Sequence, residues 1–247
     1  MPHLLIDTLH ATCGPQVLPR AWLDGFDLSI YRPGYPDQQL SGPASLLDAD
    51  ALMLRSVSKV NAAMLATTPR LRAVATCSSG TDHVDVRAMA RARIPLFSGR
   101  GGNAIAVTEW VAWALHRQWS VDPASDKPWR GRRIIVVGVG AVGACVRALA
   151  LQWGAKVIAV DPPRAARDQN FAADPNTMSL AEALQSPCDA LTLHVPLVDD
   201  GPHPTRGLID AAEMAQLSGA TLLNAARGGV IVGLADRFGL PARVGQP

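Results

Sequence analysis

No stretch of the 247 residues is apolar for the length a bilayer crossing demands, and no basic segment precedes the short apolar run of Met1-Pro2-His3-Leu4-Leu5-Ile6-Asp7. Neither a membrane span nor a secretory leader is therefore expected, and a cytoplasmic location follows by default. An excess of one charge is missing too. The 23 Lys and Arg residues face 21 Asp and Glu, leaving +2 with no block of like charges. That removes the electrostatic basis for binding nucleic acid or an anionic membrane and leaves small anionic ligands open. Cysteine is scarce: Cys13, Cys77, Cys145 and Cys188 lie far apart, without the paired spacing of a zinc site or a redox dithiol. Reduced, buried thiols and no metal are the expectation. Solenoid repeats and low-complexity segments are also lacking. What is present is a 48% apolar composition, enough to bury the core of one large or two modest domains.

Short apolar runs alternate with helix-forming segments, which predicts parallel α/β architecture. Strands are expected at His3 to Thr8, Phe26 to Tyr31, Ala49 to Leu54, Leu71 to Thr76 and Ile94 to Phe97. Helices are expected at Lys59 to Ala66 and Val84 to Arg93, and loops at Arg32 to Pro36 and Ser41 to Pro43. Asn103 can cap a helix through Leu115 that is apolar on nearly every face and must be buried, within this chain or against a second subunit. Pro123 to Gly131 is polar and turn-rich, which marks a domain boundary. A second alternating series follows, with strands at Ile134 to Val137, Lys156 to Val160, Ala190 to His194 and Thr221 to Asn224. Its helices are Val142 to Trp153, Leu180 to Gln185 and Ala211 to Leu217.

The chemistry-bearing pattern in this series is Gly138-Val139-Gly140-Ala141-Val142-Gly143, which follows an Ile/Val strand and opens a helix. That is the context a dinucleotide fingerprint requires. The first glycine permits the tight turn, the second lets a pyrophosphate approach the backbone, and the third lets helix and strand pack closely. The free amides at the helix start then hold the phosphates. The next strand ends at Asp161, where a carboxylate can accept hydrogen bonds from the adenosine ribose and repel a 2′-phosphate, which favours NAD over NADP. Arg164 and Arg167 could offer a phosphate partner but read as solvated loop charges. Asn224-Ala225-Ala226-Arg227-Gly228-Gly229 ends another strand at the sheet edge where α/β proteins bind ligands. There a guanidinium can clamp a carboxylate and polarise a neighbouring carbonyl. A surface arginine in a glycine-rich turn is the plainer account from the residues alone.

Taken together, several strings resemble the D-isomer-specific 2-hydroxyacid dehydrogenases. They are Arg55-Ser56-Val57-Ser58-Lys59-Val60-Asn61, Ser79-Gly80-Thr81-Asp82-His83-Val84-Asp85, Asn103-Ala104-Ile105-Ala106-Val107, the glycine fingerprint, Asp161-Pro162-Pro163-Arg164, His194-Val195-Pro196-Leu197 and Asn224-Ala225-Ala226-Arg227-Gly228. The first string and Asp-Pro-Pro-Arg point to the branch that oxidises 4-phospho-D-erythronate with NAD in pyridoxal 5′-phosphate biosynthesis. The resemblance implies a flavodoxin-like substrate domain over 1–102 and a connecting helix and linker over 103–130. A Rossmann-type doubly wound NAD-binding domain follows over 131–232, incomplete at its C-terminal end, and then an atypical tail over 233–247. It implies Arg227 as the catalytic arginine, with Ser56 and Ser78 as substrate contacts on turns facing the cleft. The amides around Ser79 and Gly80 would receive the substrate carboxylate. NAD contacts are implied at Gly138, Gly140, Val142, Gly143, Asp161, Val195, Ala225, Ala226 and Arg227. Arg55 and Lys59 are the nearest basic candidates for the substrate phosphate.

The family's glutamate and its acid–base histidine, which follow the catalytic arginine, have no counterpart in the glycine- and proline-rich segment after Val232. Truncation or a shifted frame accounts for that, and with it the family's dimerisation region is expected to be missing. A non-catalytic NAD-binding protein is the alternative. Among the histidines, His194 reads as structural or cofactor-side and His83, beside Asp82 and Asp85, as a cap or surface residue. His3, His10, His116 and His203 show no partner pattern.

Overall fold

In a computed structural model, the described residues are 3–7, 27–31, 48–54, 58–119 and 124–233. The loops expected at Arg32 to Pro36 and Ser41 to Pro43, together with His10, Cys13, Arg55, Ser56 and the tail beyond Gly233, lie outside them. The chain divides into two units, residues 1–102 and 103–247.

The first unit is one sheet of five parallel strands: β1 (His3–Asp7), β2 (Asp27–Tyr31), β3 (Ala51–Leu54), β4 (Ala73–Thr76) and β5 (Leu96–Ser98). Their order, β2-β1-β3-β4-β5, is that of flavodoxin-like folds. In β3 and β4 buried positions alternate with half-buried ones, and the register pairs Leu52 with Val74 and Leu54 with Thr76. Leu52, Leu54 and Val74 face a core completed by Val60, Leu71, Val84 and Met89. Two short helices, α1 (Ala62–Ala66) and α2 (Val86–Ala92), begin at Asn61 and Asp85, whose side chains accept from Met64 N and Ala88 N. Such caps satisfy amides that a first helical turn leaves open.

The second unit opens with α3 (Ala104–Trp119) and continues through β6 (Arg133–Val137), α4 (Ala141–Gln152), β7 (Lys156–Val160), α5 (Pro162–Ala165), α6 (Gln169–Ala172), α7 (Leu180–Leu184), β8 (Ala190–Leu193), α8 (Ala211–Gln216) and β9 (Thr221–Asn224). The parallel sheet runs β7-β6-β8-β9. Residues 134–137, 157–160 and 190–193 are all buried, as expected for parallel strands covered on both faces. A one-residue parallel bridge joins Ala159 to Thr177, with Ala159 N donating to Asn176 O at 2.8 Å and Met178 N to Ala159 O at 3.1 Å. Counted as a rudimentary strand beyond β7, it completes the 3-2-1-4-5 order of a doubly wound dinucleotide fold. The switch point falls between β6 and β8, and the glycine fingerprint sits at the carboxyl end of β6.

Helix α3, expected to be buried within this chain or against a second subunit, is covered along one stripe by the chain itself. Ala104, Thr108, Val111, Ala112 and Leu115 are buried, whereas Ile105 and Trp113 remain 72% and 59% exposed. Arg117 lies over the Trp113 ring at 5.7 Å, covering apolar surface as long cationic side chains do. His116, which shows no partner pattern in the sequence, donates from Nδ1 to Ala112 O, 2.8 Å away. Its ring packs on Trp129 and Trp153. Trp129 is fully buried, edge-on to Trp119 and Trp153, and fastens the turn before β6 to α3 and α4. The expectation of uniformly buried thiols fails at Cys77, which is exposed, while Cys145 and Cys188 are half-buried. Burial pushes the Cys188 thiol up. No helix among the described residues is long and apolar enough to cross a membrane.

Candidate functional site

The carboxyl ends of β6, β7, β8 and β9 share one edge of the second sheet, and every described candidate of that unit stands there. After β6 the chain turns at Gly138, whose φ of +84° an L side chain rarely adopts. A Cβ on Gly138 would meet the His194 carbonyl carbon and Val195 Cγ1 at 2.8 Å. At Gly143 a Cβ would stand 1.9 Å from Gly138 O, so the helix can start this close to the strand end only without a side chain. Gly140 differs. Nothing lies within 4 Å of a Cβ built on it, and it begins α4 with no side-chain cap. The helix start is thus uncapped beside open space at Gly140, a setting in which an anion is favoured by both unpaired N–H groups and the helix dipole. Val142, in that first turn, is half-buried against the core.

Asp161, at the end of β7, braces this turn. Its Oδ2 accepts from Val139 N at 2.7 Å and its Oδ1 from Arg164 N at 2.9 Å, the latter capping α5. One carboxylate thus ties the glycine turn to the start of the next helix. Arg164 is not the solvated loop charge its position suggests. Its NH1 donates to Val139 O at 2.8 Å, its guanidinium lies 4.5 Å from the Phe171 ring centre, and Asp168 pairs with it at 3.4 Å. Aromatic stacking and a carbonyl at the right distance draw it inward. Arg167 is exposed and donates to Pro163 O. A cavity of about 280 Å³ opens between Asp161, Pro162 and Ala165 on one side and Thr177, Met178 and Ser179 on the other.

Beyond β8, His194 Nε2 is 3.0 Å from Thr192 Oγ1, and its Nδ1 is buried with no hydrogen-bond partner among the described residues. Burial pushes the imidazole down to about 4, so it is neutral at physiological pH and a weak base. Val195 follows and packs toward Gly138. After β9, Asn224 closes an Asx-type turn: its Oδ1 accepts from Ala226 N and its Nδ2 donates to Arg227 O, both at 3.0 Å. Ala225 and Ala226 are half-buried in the two cores flanking the sheet. Arg227 is half-buried, with NH1 donating to Ala226 O at 3.1 Å. Asn224 is a positioning group that the strand pattern alone concealed, although an Asn followed by two small residues is a recognisable turn former.

In the first unit, Ser78 follows β4 on a turn tied to its neighbours by Cys77 N donating to Leu54 O at 3.1 Å and Ser79 Oγ to Gly99 O at 3.4 Å. Ser78 Oγ donates to Gly80 O at 2.8 Å and lies 2.7 Å from Thr76 Oγ1, which is in turn 3.1 Å from His83 Nε2. His83 is therefore neither a helix cap nor a bare surface group. The cap of α2 is Asp85, and the His83 ring reaches back toward β4.

The NAD-binding domain of D-isomer-specific 2-hydroxyacid dehydrogenases matches residues 104–235. Erythronate-4-phosphate dehydrogenases of Salmonella typhi and Salmonella newport are 41% identical over 202 residues, 81% of this chain and 50% of theirs. The chain thus spans half the length of these curated relatives. Among solved structures, D-lactate dehydrogenase of Aquifex aeolicus, complexed with NAD and lactic acid, is similar at a TM-score of 0.72 and 22% identity, covering 93% of this chain and 71% of that one. NAD+-bound 3-phosphoglycerate dehydrogenase of Entamoeba histolytica reaches 0.69 at 19% identity, over 94% and 74%. These two likenesses speak to the fold: two parallel α/β units, the second with a doubly wound sheet. With the family's NAD-binding domain laid over more than half of the chain, and its glycine turn, Asp161 and Arg227 on one sheet edge, the protein belongs to the D-isomer-specific 2-hydroxyacid dehydrogenases.

Proposed function

We propose that this chain carries the binding machinery for NAD-dependent oxidation of 4-phospho-D-erythronate at C2. The product is the 2-oxo acid 3-hydroxy-2-oxo-4-phosphooxybutanoate, in pyridoxal 5′-phosphate biosynthesis. The observation that carries the reading is the single sheet edge holding an uncapped helix start at Gly140, the Asp161 carboxylate and the Arg227 guanidinium. NAD supplies the hydride acceptor. The amides of Ala141, Val142 and Gly143 would hold its pyrophosphate, Asp161 its adenosine ribose, and the cavity beside Asp161 has the apolar walls an adenine needs. Val195, Ala225 and Ala226 would line the remainder through their backbones. Arg227 would clamp the substrate carboxylate in a bidentate pair and stabilise charge on the C2 oxygen as it becomes a carbonyl. Ser78, and by resemblance Ser56, would contact the substrate. The 41% identity to erythronate-4-phosphate dehydrogenases supports this substrate over other 2-hydroxy acids.

A second reading, a protein that holds NAD without turnover, is favoured by one observation. His194, the histidine on this edge, is too weak a base at a value of about 4 to take the hydroxyl proton efficiently. One experiment separates the two. The purified chain is titrated with NAD and with NADP by calorimetry, and NADH absorbance is then followed with 4-phospho-D-erythronate and with unphosphorylated erythronate. NAD binding with phosphate-selective NADH formation supports the enzyme. NAD binding without turnover supports the second reading, and tighter NADP binding rejects the role given to Asp161.

A further inference from the structure

The turn after β4 contains more order than a substrate contact needs. Four contacts converge there: Ser78 Oγ to Gly80 O at 2.8 Å, Thr76 Oγ1 to Ser78 Oγ at 2.7 Å, Thr76 Oγ1 to His83 Nε2 at 3.1 Å, and Ser78 N to Thr76 Oγ1 at 3.3 Å. A carbonyl oxygen can only accept, so the Ser78 proton goes to Gly80 O. The proton between Thr76 and Ser78 must then come from Thr76. With its proton so committed, Thr76 Oγ1 can only accept from His83, which places a hydrogen on Nε2. The assignment is the one that makes all four contacts attractive, and it is directional: His83 Nε2–H to Thr76 Oγ1–H to Ser78 Oγ–H to Gly80 O. Thr76 is 3% exposed, so water does not compete for the middle of the chain, and polarised neighbours strengthen one another.

We propose that His83 is a positioning residue that, acting through Thr76, fixes the Ser78 hydroxyl as a hydrogen-bond acceptor, so that Ser78 selects a hydroxyl of the ligand rather than an anionic oxygen. The inference rests on the substrate reading above for the identity of the ligand, and on the turn alone for the direction of the relay. Ser78 Oγ gives its proton to Gly80 O and receives one from Thr76, which leaves one lone pair. A carboxylate or phosphate oxygen brought to that lone pair is repelled, whereas a hydroxyl donates to it. Of the two hydroxyls of 4-phospho-D-erythronate, the one at C2 must lose its proton as the carbonyl forms. The C3 hydroxyl can remain a donor throughout, and it is the one Ser78 would receive. Anion recognition then falls to other groups, the amides of the same turn among them, so acceptor and donor roles are divided between different groups.

The test uses the full 247-residue chain and binding rather than turnover. Calorimetric titration compares 4-phospho-D-erythronate with its 3-deoxy analogue in the presence of NAD. The unmodified chain should prefer the hydroxylated ligand by roughly two- to tenfold, the worth of one neutral hydrogen bond. His83→Leu should abolish that preference, and His83→Gln, whose amide N–H stands where the imidazole Nε2–H does, should restore it. A merely structural role would weaken both ligands together and leave their ratio intact, which would overturn the proposal. Nitrogen-15 spectra of the unmodified chain should show His83 as the Nε2–H tautomer. Finding Nδ1–H alone would refute the relay whatever the variants do. If the unmodified chain binds neither ligand, the substrate reading fails, and the relay stands or falls on the tautomer and on its loss in Thr76→Val.

Discussion

Gly143 and Gly140 stand three residues apart in the same motif and should fail in opposite ways. An alanine at 143 puts its Cβ 1.9 Å from the Gly138 carbonyl oxygen and 3.0 Å from its carbonyl carbon. Both are backbone atoms at the end of the central strand, and opening the closer contact to even 3.0 Å needs a separation of about 1.1 Å. Neither the strand, buried over residues 134–137, nor α4 can give that without disturbing packed neighbours. Overpacking of this kind costs typically 1–3 kcal/mol, and the backbone clash places Gly143→Ala at about 3 kcal/mol. An alanine at 140 meets nothing within 4 Å, and its φ of −77° is ordinary, so its stability cost should stay under about 1 kcal/mol, that of a poorer N-cap residue. The open space above it is where the pyrophosphate is placed, so NAD affinity should fall by roughly tenfold or more. Urea unfolding followed by tryptophan fluorescence reads the first effect, since Trp129 and Trp153 are packed in the same unit. Repeating it at about 100 times the NAD dissociation constant reads the second, because ligand at that level adds about 2.7 kcal/mol to the unmodified chain. Gly143→Ala with an unshifted midpoint, or Gly140→Ala with the full NAD-induced shift, would refute the division of labour between the two glycines.

Asp161→Ala removes the acceptor for Val139 N and the cap of α5. Calorimetry should show NAD preference over NADP narrowing, with about 1 kcal/mol lost in urea unfolding. His194 is held near 4 by burial, below its unfolded value of about 6.5. The unfolded chain therefore binds the extra proton between these values, and stability present above about pH 6.5 is lost as pH falls toward 4, by up to about 3 kcal/mol. Urea midpoints measured from pH 4 to 7 should rise with pH, and His194→Gln should flatten that slope; an unchanged slope assigns the pH dependence elsewhere. Trp129→Ala, at a fully buried site edge-on to two other indoles, should cost about 3–5 kcal/mol and collapse the near-UV circular dichroism. A loss under 1 kcal/mol would mean that the cluster does not anchor the turn before β6.

Much of the second unit is legible because its signals are local. Parallel strands buried on both faces write themselves as runs such as Ile134 to Val137 and Val157 to Val160, and a glycine turn between such a run and a helix has few structural alternatives. Lys156–Val160 and Thr221–Asn224 fall on the residues expected of them. The ends of β4 and β5 are less clear: Leu71 and Ile94 point into the core from outside the strands, since apolar character marks burial rather than hydrogen-bonded extension. The bridge at Thr177 is invisible for the converse reason, as one paired residue leaves no periodicity to read.

Arg164, His83 and Trp113 show where one-dimensional patterning ends. Arg164 looks solvated because its neighbours in sequence are polar or lie in a loop, yet its guanidinium finds Phe171 seven positions on and a carbonyl twenty-five positions back. His83 has acidic neighbours in sequence, which suggest capping, but its ring turns to Thr76, on the preceding strand. In both cases the side chain is long or flat enough to cross to another element, and its partner is chosen by the turn's three-dimensional course. Trp113 illustrates a different limit. A helix apolar all round is burial-seeking as a whole, yet within this chain α4 and the sheet behind it cover one stripe, and Ile105 and Trp113 stay outside it. Hydrophobic patterning reports how much surface a helix can bury; which stripe is buried depends on the tertiary neighbour. The same division holds at the site. The glycines and Asp161 act through local backbone geometry and are read directly, whereas the direction of the His83–Thr76–Ser78 relay emerges only when each oxygen's single proton is assigned against partners that sequence separation hides.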